Sequence, residues 1–182
     1  MTILEAMADP NLFQPLFRSP ESWRAWTVWL KAVFALPMAA AERALYHRCT
    51  GRQHPPTTEP TEVFTICGRR SGKSFVASLT AVFLATFRDY TPFLSPGERA
   101  VVMVLARDRN QAGVIFRYIA GILRTSPLLE QMIEAERAEE IDLSNRVTIA
   151  VYTSSYKAIR GVTIAAALCD EIAFWQSEGV NP

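Results

Sequence analysis

The chain has 182 residues, of which 49% are hydrophobic and 20% charged, and its formal net charge is +1 at pH 7. This length supports one sizeable α/β core, and the near-neutral charge excludes nucleic-acid binding through overall charge, so any DNA contact must be a local patch. No apolar run is long enough to span a membrane, and the acidic N-terminus lacks the basic start of a signal peptide, so we expect a soluble protein that is not exported.

Residues 1–60 are predicted to form a helical segment that leads into the core. Residues 19–22 are typical of a helix start, and apolar side chains then recur on one helix face: Trp23, Trp26, Leu30, Val33 and Phe34. We expect this face to pack inward. A second helix is predicted over about residues 38–47, and three prolines indicate a loop over 50–61.

A phosphate-binding loop is predicted next. The β-prone residues 63–67 precede it, the apolar residues 75–84 suit a buried helix after it, and the loop itself consists of Gly68, Arg69, Arg70, Ser71, Gly72, Lys73 and Ser74. Backbone N–H groups and the helix dipole would face the phosphates. Lys73 would reach the β- and γ-phosphates and Ser74 would ligate Mg²⁺. Cys67 replaces the first glycine of the usual G-x-x-x-x-G-K-[ST] pattern, so the loop is a variant.

The middle of the chain alternates between strand and helix patterns. The predicted elements are a loop over 90–99, a buried strand over 100–105, helices over 110–124 and 127–138, and a strand over 146–152. We interpret the charged stretch 134–142 as a solvated connector, because nothing else in the sequence supports a metal site there.

The apolar run 163–169 fits a strand buried on both faces of a parallel sheet. Asp170 follows at its carboxyl end, where open α/β sheets bind ligands. Asp170 can hold the Mg²⁺ shell, and Glu171 can polarise water for attack on the γ-phosphate. The alternative is a solvated acidic pair that caps the next helix.

The three cysteines have no metal-ligand spacing. Cys67 and Cys169 lie in predicted core strands, and Cys49 lies in the helical segment. We interpret all three as small apolar residues in a reducing compartment.

Four segments match a known family in order and spacing: residues 68–74, 106–112, 154–161 and 170–174. An arginine inside the phosphate loop, the pair Arg160-Gly161 before the acidic strand, and Asp-Glu followed shortly by Ala-Phe are jointly more specific than any one motif. From about residue 21 onward, the chain resembles the N-terminal ATPase part of the large terminase subunit of tailed bacteriophages, the motor that pumps DNA into a procapsid.

The resemblance implies an α/β P-loop NTPase of the additional-strand catalytic-glutamate type, with a mostly parallel sheet flanked by helices. It implies ATP and Mg²⁺ as cofactors, with Glu171, Lys73, Arg69 and Arg160 as catalytic residues. Arg69 would reach the γ-phosphate or the side of the attacking water. Arg160 would act as an arginine finger, which the resemblance places in a neighbouring subunit's site. Action within its own subunit and a surface salt bridge stay open.

The resemblance also implies partners: double-stranded DNA, the portal protein, the small terminase subunit and further copies in a homo-oligomeric ring, in the bacterial host cytoplasm and without a membrane. Candidates for a local DNA patch are Arg107 and Arg109 after the strand over 100–105, and Arg117 and Arg124 on the helix that follows; for the last two the alternative is a solvated helix charge.

Candidates for adenine contacts precede the phosphate loop and are Gln14, Thr50, Gly51, Arg52 and the tryptophans Trp23 and Trp26. The alternative is that the two tryptophans belong to the core and Arg52 is a surface charge.

The ATPase core, residues 61–182, is expected to stop soon after the acidic strand, without the later strands and the nuclease domain that the family has. Such a sheet would expose an edge and apolar surface. Alternatives to the terminase motor are a helicase-like ATPase, a small-molecule kinase, and a fragment that binds nucleotide without turnover.

Overall fold

The computed structural model describes residues 1–153 and 161–175. The chain divides into two units, Met1–Ser71 and Gly72–Pro182. The first unit is helical, and the second contains a sheet with helices packed against it.

The helices of the first unit are α1 (Ile3–Ala8), α2 (Arg24–Val33) and α3 (Ala40–Thr50). Thr2 and Glu5 form a capping box at the start of α1. A 3₁₀ turn, Pro20–Trp23, leads into α2, and Gly51 ends α3 at φ 70°. The predictions of two helices in this region and of a loop after them are confirmed.

The apolar face of α2 packs inward, as predicted, although its tryptophans are only partly buried. Leu30 is 1% exposed and Phe34 7% exposed. Trp26 and Trp29 contact each other edge to face, with ring centroids 5.5 Å apart. The indole nitrogen of Trp29 donates a hydrogen bond to Thr65 Oγ1 (2.8 Å), which ties the segment before the phosphate loop to α2.

The prediction of a strand over residues 63–67 is wrong. These residues are in neither helix nor strand, and the side chains of Phe64 and Ile66 are 83% and 103% exposed. A β-prone sequence becomes a strand only where a neighbouring strand supplies ladder hydrogen bonds and a surface to pack on. No strand of the described residues pairs with this segment.

The second unit contains a five-stranded mixed sheet in the order β2-β3-β4-β1-β5. The strands are β1 (Ala100–Ala106), β2 (Ile133–Glu136), β3 (Glu140–Leu143), β4 (Val147–Thr153) and β5 (Thr163–Cys169). The central strand β1 runs parallel to both β4 and β5. β2 and β3 are antiparallel, and so are β3 and β4. The α/β class is therefore confirmed, whereas the expected mostly parallel sheet is corrected to a mixed one.

The mixed pairing arises from a hairpin that the sequence analysis missed. The helix predicted over 127–138 is only four residues long, α6 (Pro127–Glu130), and the supposed connector after it forms β2 and β3. In β3 the burial alternates, with Ile141 and Leu143 both 0% exposed. This alternation is typical of a half-buried strand. The segment therefore forms a strand although the residues between Ile141 and Leu143 and on either side of them include charged ones.

The core of the second unit lies between the sheet and two long helices, α4 (Lys73–Phe87) and α5 (Arg109–Thr125), both close to their predicted positions. The helices pack against each other and against β1 and β4. All seven residues of β1 are buried, as predicted. Side chains that are fully buried on the helices are Leu79, Phe83, Ile115, Ile119, Ile122 and Leu123.

Strand β5 has the predicted bounds but not the predicted burial on both faces. It is the outermost strand of the described sheet, pairing with β1 alone, and its residues are half-buried or exposed. Val162, which precedes β5, and Ile164 within it are 40% and 39% exposed. Cys169 is exposed, and Cys67 is only partly buried and lies in no strand, so the prediction that both lie in core strands is corrected. Within residues 1–153 and 161–175, no helix is both long and apolar enough to cross a membrane.

Candidate functional site

The N-terminus of α4 presents two side chains that the sequence analysis singled out. Gly72 precedes the helix with φ 86°, a left-handed conformation that glycine adopts without steric cost. Lys73 and Ser74 are the first two residues of the helix. Val76 and Leu79 are buried one turn later, so the first turn is anchored on the core. The turn at Gly72 and the buried face of α4 together fix the positions of the Lys73 and Ser74 backbones.

The acidic pair follows β5 and is held by backbone contacts. The Asp170 N–H donates to the Leu105 carbonyl at 2.8 Å, and the Trp175 indole donates to the Asp170 carbonyl at 3.0 Å. The Asp170 side chain is buried, with 7% exposure. Glu171 has φ 54°, a left-handed conformation that is uncommon for a residue with a side chain and that concentrates at functional sites.

The structure brings these two parts of the second unit together. Lys73 Nζ lies 3.0 Å from Glu171 Oε1, and the Ser74 hydroxyl donates to Asp170 Oδ2 at 3.1 Å. Nearly a hundred residues separate the partners in each pair. A cation, a hydroxyl and two carboxylates thus converge at the N-terminus of a helix, where the helix dipole favours an anion.

Gln111 joins this cluster and was not assigned a role from the sequence. Its amide nitrogen lies 2.8 Å from Asp170 Oδ2 and 3.1 Å from Ser74 Oγ. Because a carboxylate oxygen only accepts, the amide must donate to Asp170. A signal existed: α5 follows the buried strand β1, and side chains at the carboxyl ends of neighbouring parallel strands meet at one edge of the sheet. Without the knowledge that β1 and β5 are neighbours, that signal could not be used.

Arg107 and Asp108 form a charged pair beside Glu171. Arg107 donates to Asp108 Oδ2 from Nε at 3.0 Å and from a terminal nitrogen at 2.9 Å, and another terminal nitrogen lies 3.8 Å from Glu171 Oε2. The hydrogen bond to Asp108 raises the pKa of Arg107. The Gln111 backbone N–H, which donates to Asp108 at 2.9 Å, lowers the pKa of Asp108, and so does Arg107.

The predicted DNA patch does not form one cluster of equivalent arginines. Arg107 contacts the acidic pair, and Arg124 forms an ion pair with Glu136. Arg109 and Arg117 are exposed on α5. All four arginines are exposed, and the DNA patch stays a prediction.

The earlier part of the phosphate loop belongs to the first unit. Gly68, Arg69 and Arg70 are exposed, and Arg70 has φ 59°. The Ser71 carbonyl accepts a hydrogen bond from the Trp26 indole at 2.7 Å. Within the described parts of the chain, the buried Ser71 hydroxyl has no hydrogen-bond partner. The roles proposed for these four residues are therefore untested by their present contacts.

The other candidates from the sequence are dispersed. Arg160 lies outside the described residues; Gly161, which follows it, has φ 79° and fits the turn expected there. Gln14 begins a 3₁₀ turn in the first unit, Thr50 is the last residue of α3, and the Arg52 carbonyl lies 3.1 Å from His47 Nδ1. Their assignment to adenine stays a prediction.

Comparison with known families decides the affiliation of the chain. The family described as "Terminase large subunit, T4likevirus-type, N-terminal" matches residues 65–180. The chain belongs to this terminase family. The match includes Lys73, Ser74, Gln111 and the acidic pair, and it indicates a role in phage DNA packaging. No individually curated protein matches the chain.

Proposed function

We propose that this terminase region is a Mg²⁺-dependent ATPase with a P-loop NTPase fold, and that its ATP hydrolysis drives double-stranded DNA into procapsids. The observation that carries the proposal is the convergence of Lys73 and Ser74 with Asp170 and Glu171, at 3.0 and 3.1 Å. A chance cluster would not combine a glycine turn at a helix N-terminus with a buried carboxylate at the end of a sheet strand.

The phosphate end of ATP would bind at the first turn of α4. Unpaired N–H groups of that turn would donate to phosphate oxygens, and Lys73 would neutralise charge on the β- and γ-phosphates. Lys73 contacts Glu171 in this structure. On nucleotide binding, Lys73 would exchange this contact for one with the phosphates. Arg69, and Arg160 from its own or a neighbouring subunit, would offset further charge in the transition state.

The oxygen donors fit Mg²⁺. Adjacent ligands of an octahedral Mg²⁺ lie about 3.0 Å apart, given metal–oxygen distances of about 2.1 Å, and Ser74 Oγ and Asp170 Oδ2 are 3.1 Å apart. Among the described residues no group of three or more His, Cys, Asp or Glu side chains could hold a metal ion. That sparse protein contribution is usual for Mg²⁺, which relies on phosphates and water for its other ligands. When bound, Mg²⁺ would offset charge on the phosphates.

Glu171 would orient and deprotonate the attacking water. Its carboxylate lies beside Lys73 Nζ and Arg107, with Arg107 3.8 Å away, so its position is constrained by two cations. A hydrolase needs a group that orients or deprotonates water next to the γ-phosphate, whereas a small-molecule kinase uses an acceptor hydroxyl instead of water.

In the packaging motor we expect the partners named from the sequence: DNA, the portal protein, the small terminase subunit and further copies in a ring, in the host cytoplasm. The exposed Arg109 and Arg117 on α5 are the first residues to test for DNA contact. The family affiliation favours this motor over a free helicase.

The test is steady-state ATP hydrolysis with Mg²⁺ over a series of protein concentrations, together with binding of a fluorescent ATP analogue. We expect Lys73→Ala to weaken nucleotide binding and abolish turnover. Glu171→Gln should keep binding and decrease kcat by roughly 100-fold or more, because a general base contributes about 10² to 10⁴. A rate per subunit that rises with concentration would support Arg160 acting between subunits.

Two other results of these measurements would favour the alternative functions. Unchanged turnover in Glu171→Gln would contradict the hydrolase and favour a kinase. Nucleotide binding without turnover in the wild-type chain, lost in Lys73→Ala, would identify a nucleotide-binding region that does not hydrolyse ATP by itself.

A further inference from the structure

We infer that Gln111 is a positioning residue that holds Asp170 and Ser74 in place for Mg²⁺; this inference rests on the function proposed above. The three polar atoms Gln111 Nε2, Asp170 Oδ2 and Ser74 Oγ form a nearly equilateral triangle with sides of 2.8, 3.1 and 3.1 Å. Gln111 therefore contacts both candidate Mg²⁺ ligands.

The environment of Asp170 explains why such a residue is needed. Its carboxylate is buried, and a buried charge is costly unless it is hydrogen-bonded. The nearby Lys73 pairs with Glu171. The Ser74 hydroxyl and the Gln111 amide, both neutral, donate hydrogen bonds to the Asp170 side chain. Two neutral donors can hydrogen-bond a buried carboxylate without adding a positive charge that would repel Mg²⁺.

Gln111 is itself held firmly enough to position other groups. It lies in the first turn of α5, where its backbone N–H donates to the N-cap residue Asp108 at 2.9 Å. Arg107 fixes the other oxygen of Asp108, and Ala112 and Ile115 anchor the helix in the core. A glutamine on a rigid helix places its amide reproducibly, which is what a residue that orients metal ligands requires.

Loss of the amide should therefore weaken Mg²⁺ binding more than nucleotide binding. Asp170 and the Ser74 hydroxyl would each lose a hydrogen-bond partner, whereas Lys73 and the backbone N–H groups at the start of α4 would keep their positions. Removing a group that orients metal ligands typically decreases metal affinity by about 10- to 100-fold. A role confined to packing would instead lower stability equally with and without Mg²⁺.

The experiment measures binding of a fluorescent ADP analogue in EDTA and across a Mg²⁺ titration. Gln111→Met keeps most of the side-chain volume and removes the donor, and Asn110→Ala changes the exposed neighbouring residue on the same helix turn as a control. We expect Gln111→Met to bind the analogue in EDTA within about twofold of wild type and to need roughly tenfold more Mg²⁺ for the half-maximal effect. Asn110→Ala should match the wild-type chain.

An unchanged Mg²⁺ midpoint in folded Gln111→Met would overturn the inference while leaving the proposed function intact. If Gln111→Met and Gln111→Ala both lose their cooperative thermal transition, Gln111 is required for folding and the inference also fails. A wild-type chain that binds no nucleotide at any Mg²⁺ concentration would contradict the proposed function itself. In that case the fluorescence signal of the wild-type chain would equal that of Lys73→Ala.

Discussion

At the scale of single residues, two residues of the site have left-handed backbone conformations. Gly72, which precedes Lys73, has φ 86°, and Glu171, which is one of the clustered residues, has φ 54°. Gly72 adopts this conformation without cost, whereas Glu171 bears strain that its surroundings must compensate. The glycine could be recognised from the loop motif. The conformation of Glu171 could not, because it results from how β5 ends.

The conformation of Gly72 leads to a prediction with an internal control. Gly72→Ala places a side chain at φ 86° and should destabilise the chain by about 1–2 kcal/mol and decrease nucleotide binding. Gly121→Ala, in the interior of α5 where an added Cβ meets nothing within 4 Å, should stabilise by about 0.5–1 kcal/mol. Urea unfolding of both variants measures the pair; a stabilising Gly72→Ala would show that the left-handed turn is not required.

At the scale of secondary-structure elements, α5 positions Gln111 and depends on its N-cap. Asp108 accepts from the Gln111 N–H, and its other oxygen contacts Arg107. Asp108 thus caps α5 and also pairs with Arg107, which lies beside Glu171. Helix α5 could be predicted from the spacing of its apolar residues. The pairing of Asp108 with Arg107 could not, because it depends on where Arg107 lies after the end of β1.

Removing the cap should lower stability in a pH-dependent manner. Asp108→Ala is expected to decrease Tm by about 3 °C at pH 7, whereas Asp108→Asn, which still caps, should retain most of the stability. The hydrogen bond from Gln111 lowers the pKa of Asp108 in the folded state. A lowered folded pKa means that the ionised cap stabilises the protein above the pKa of the unfolded chain and loses this contribution as pH falls through the folded pKa.

The difference in Tm between wild type and Asp108→Asn should therefore shrink as the pH falls below about 4. Thermal unfolding monitored by circular dichroism between pH 3 and pH 7 measures this difference. A difference that grows in acid would have the wrong sign for a carboxylate with a lowered pKa.

At the scale of the whole molecule, the site of the second unit depends on a core formed by α4, α5 and the centre of the sheet. Leu79 is 0% exposed and lies on α4, the helix whose first turn carries Lys73 and Ser74. Packing of this core therefore fixes where the helix N-terminus meets the end of β5.

Leu79→Ala should destabilise the chain by about 2–5 kcal/mol, because a buried cavity adds to the lost burial of the side chain. Leu128→Ala makes the same chemical change on α6, where the side chain is 59% exposed, and should change stability by no more than about 0.5 kcal/mol. Denaturant unfolding of the two variants compares them directly; equal effects would mean that α4 is not part of the stabilising core.

The sequence by itself determined the chemistry of the site and most of the regular elements. Glycine, lysine and serine at a helix start, and an acidic pair after an apolar strand, are local patterns that can be recognised without knowledge of the tertiary structure. For the same reason α4, α5, β1, β4 and β5 were found near their observed bounds. Only the tertiary structure decided the partners of each strand: the pairing of β2 with β3, the edge position of β5, and the absence of a strand over residues 63–67 in the described sheet. Strand pairing joins residues distant in the chain, so no local pattern contains it. The contact of Gln111 with Asp170 and Ser74 was hidden for the same reason, since it exists only where β1 lies beside β5.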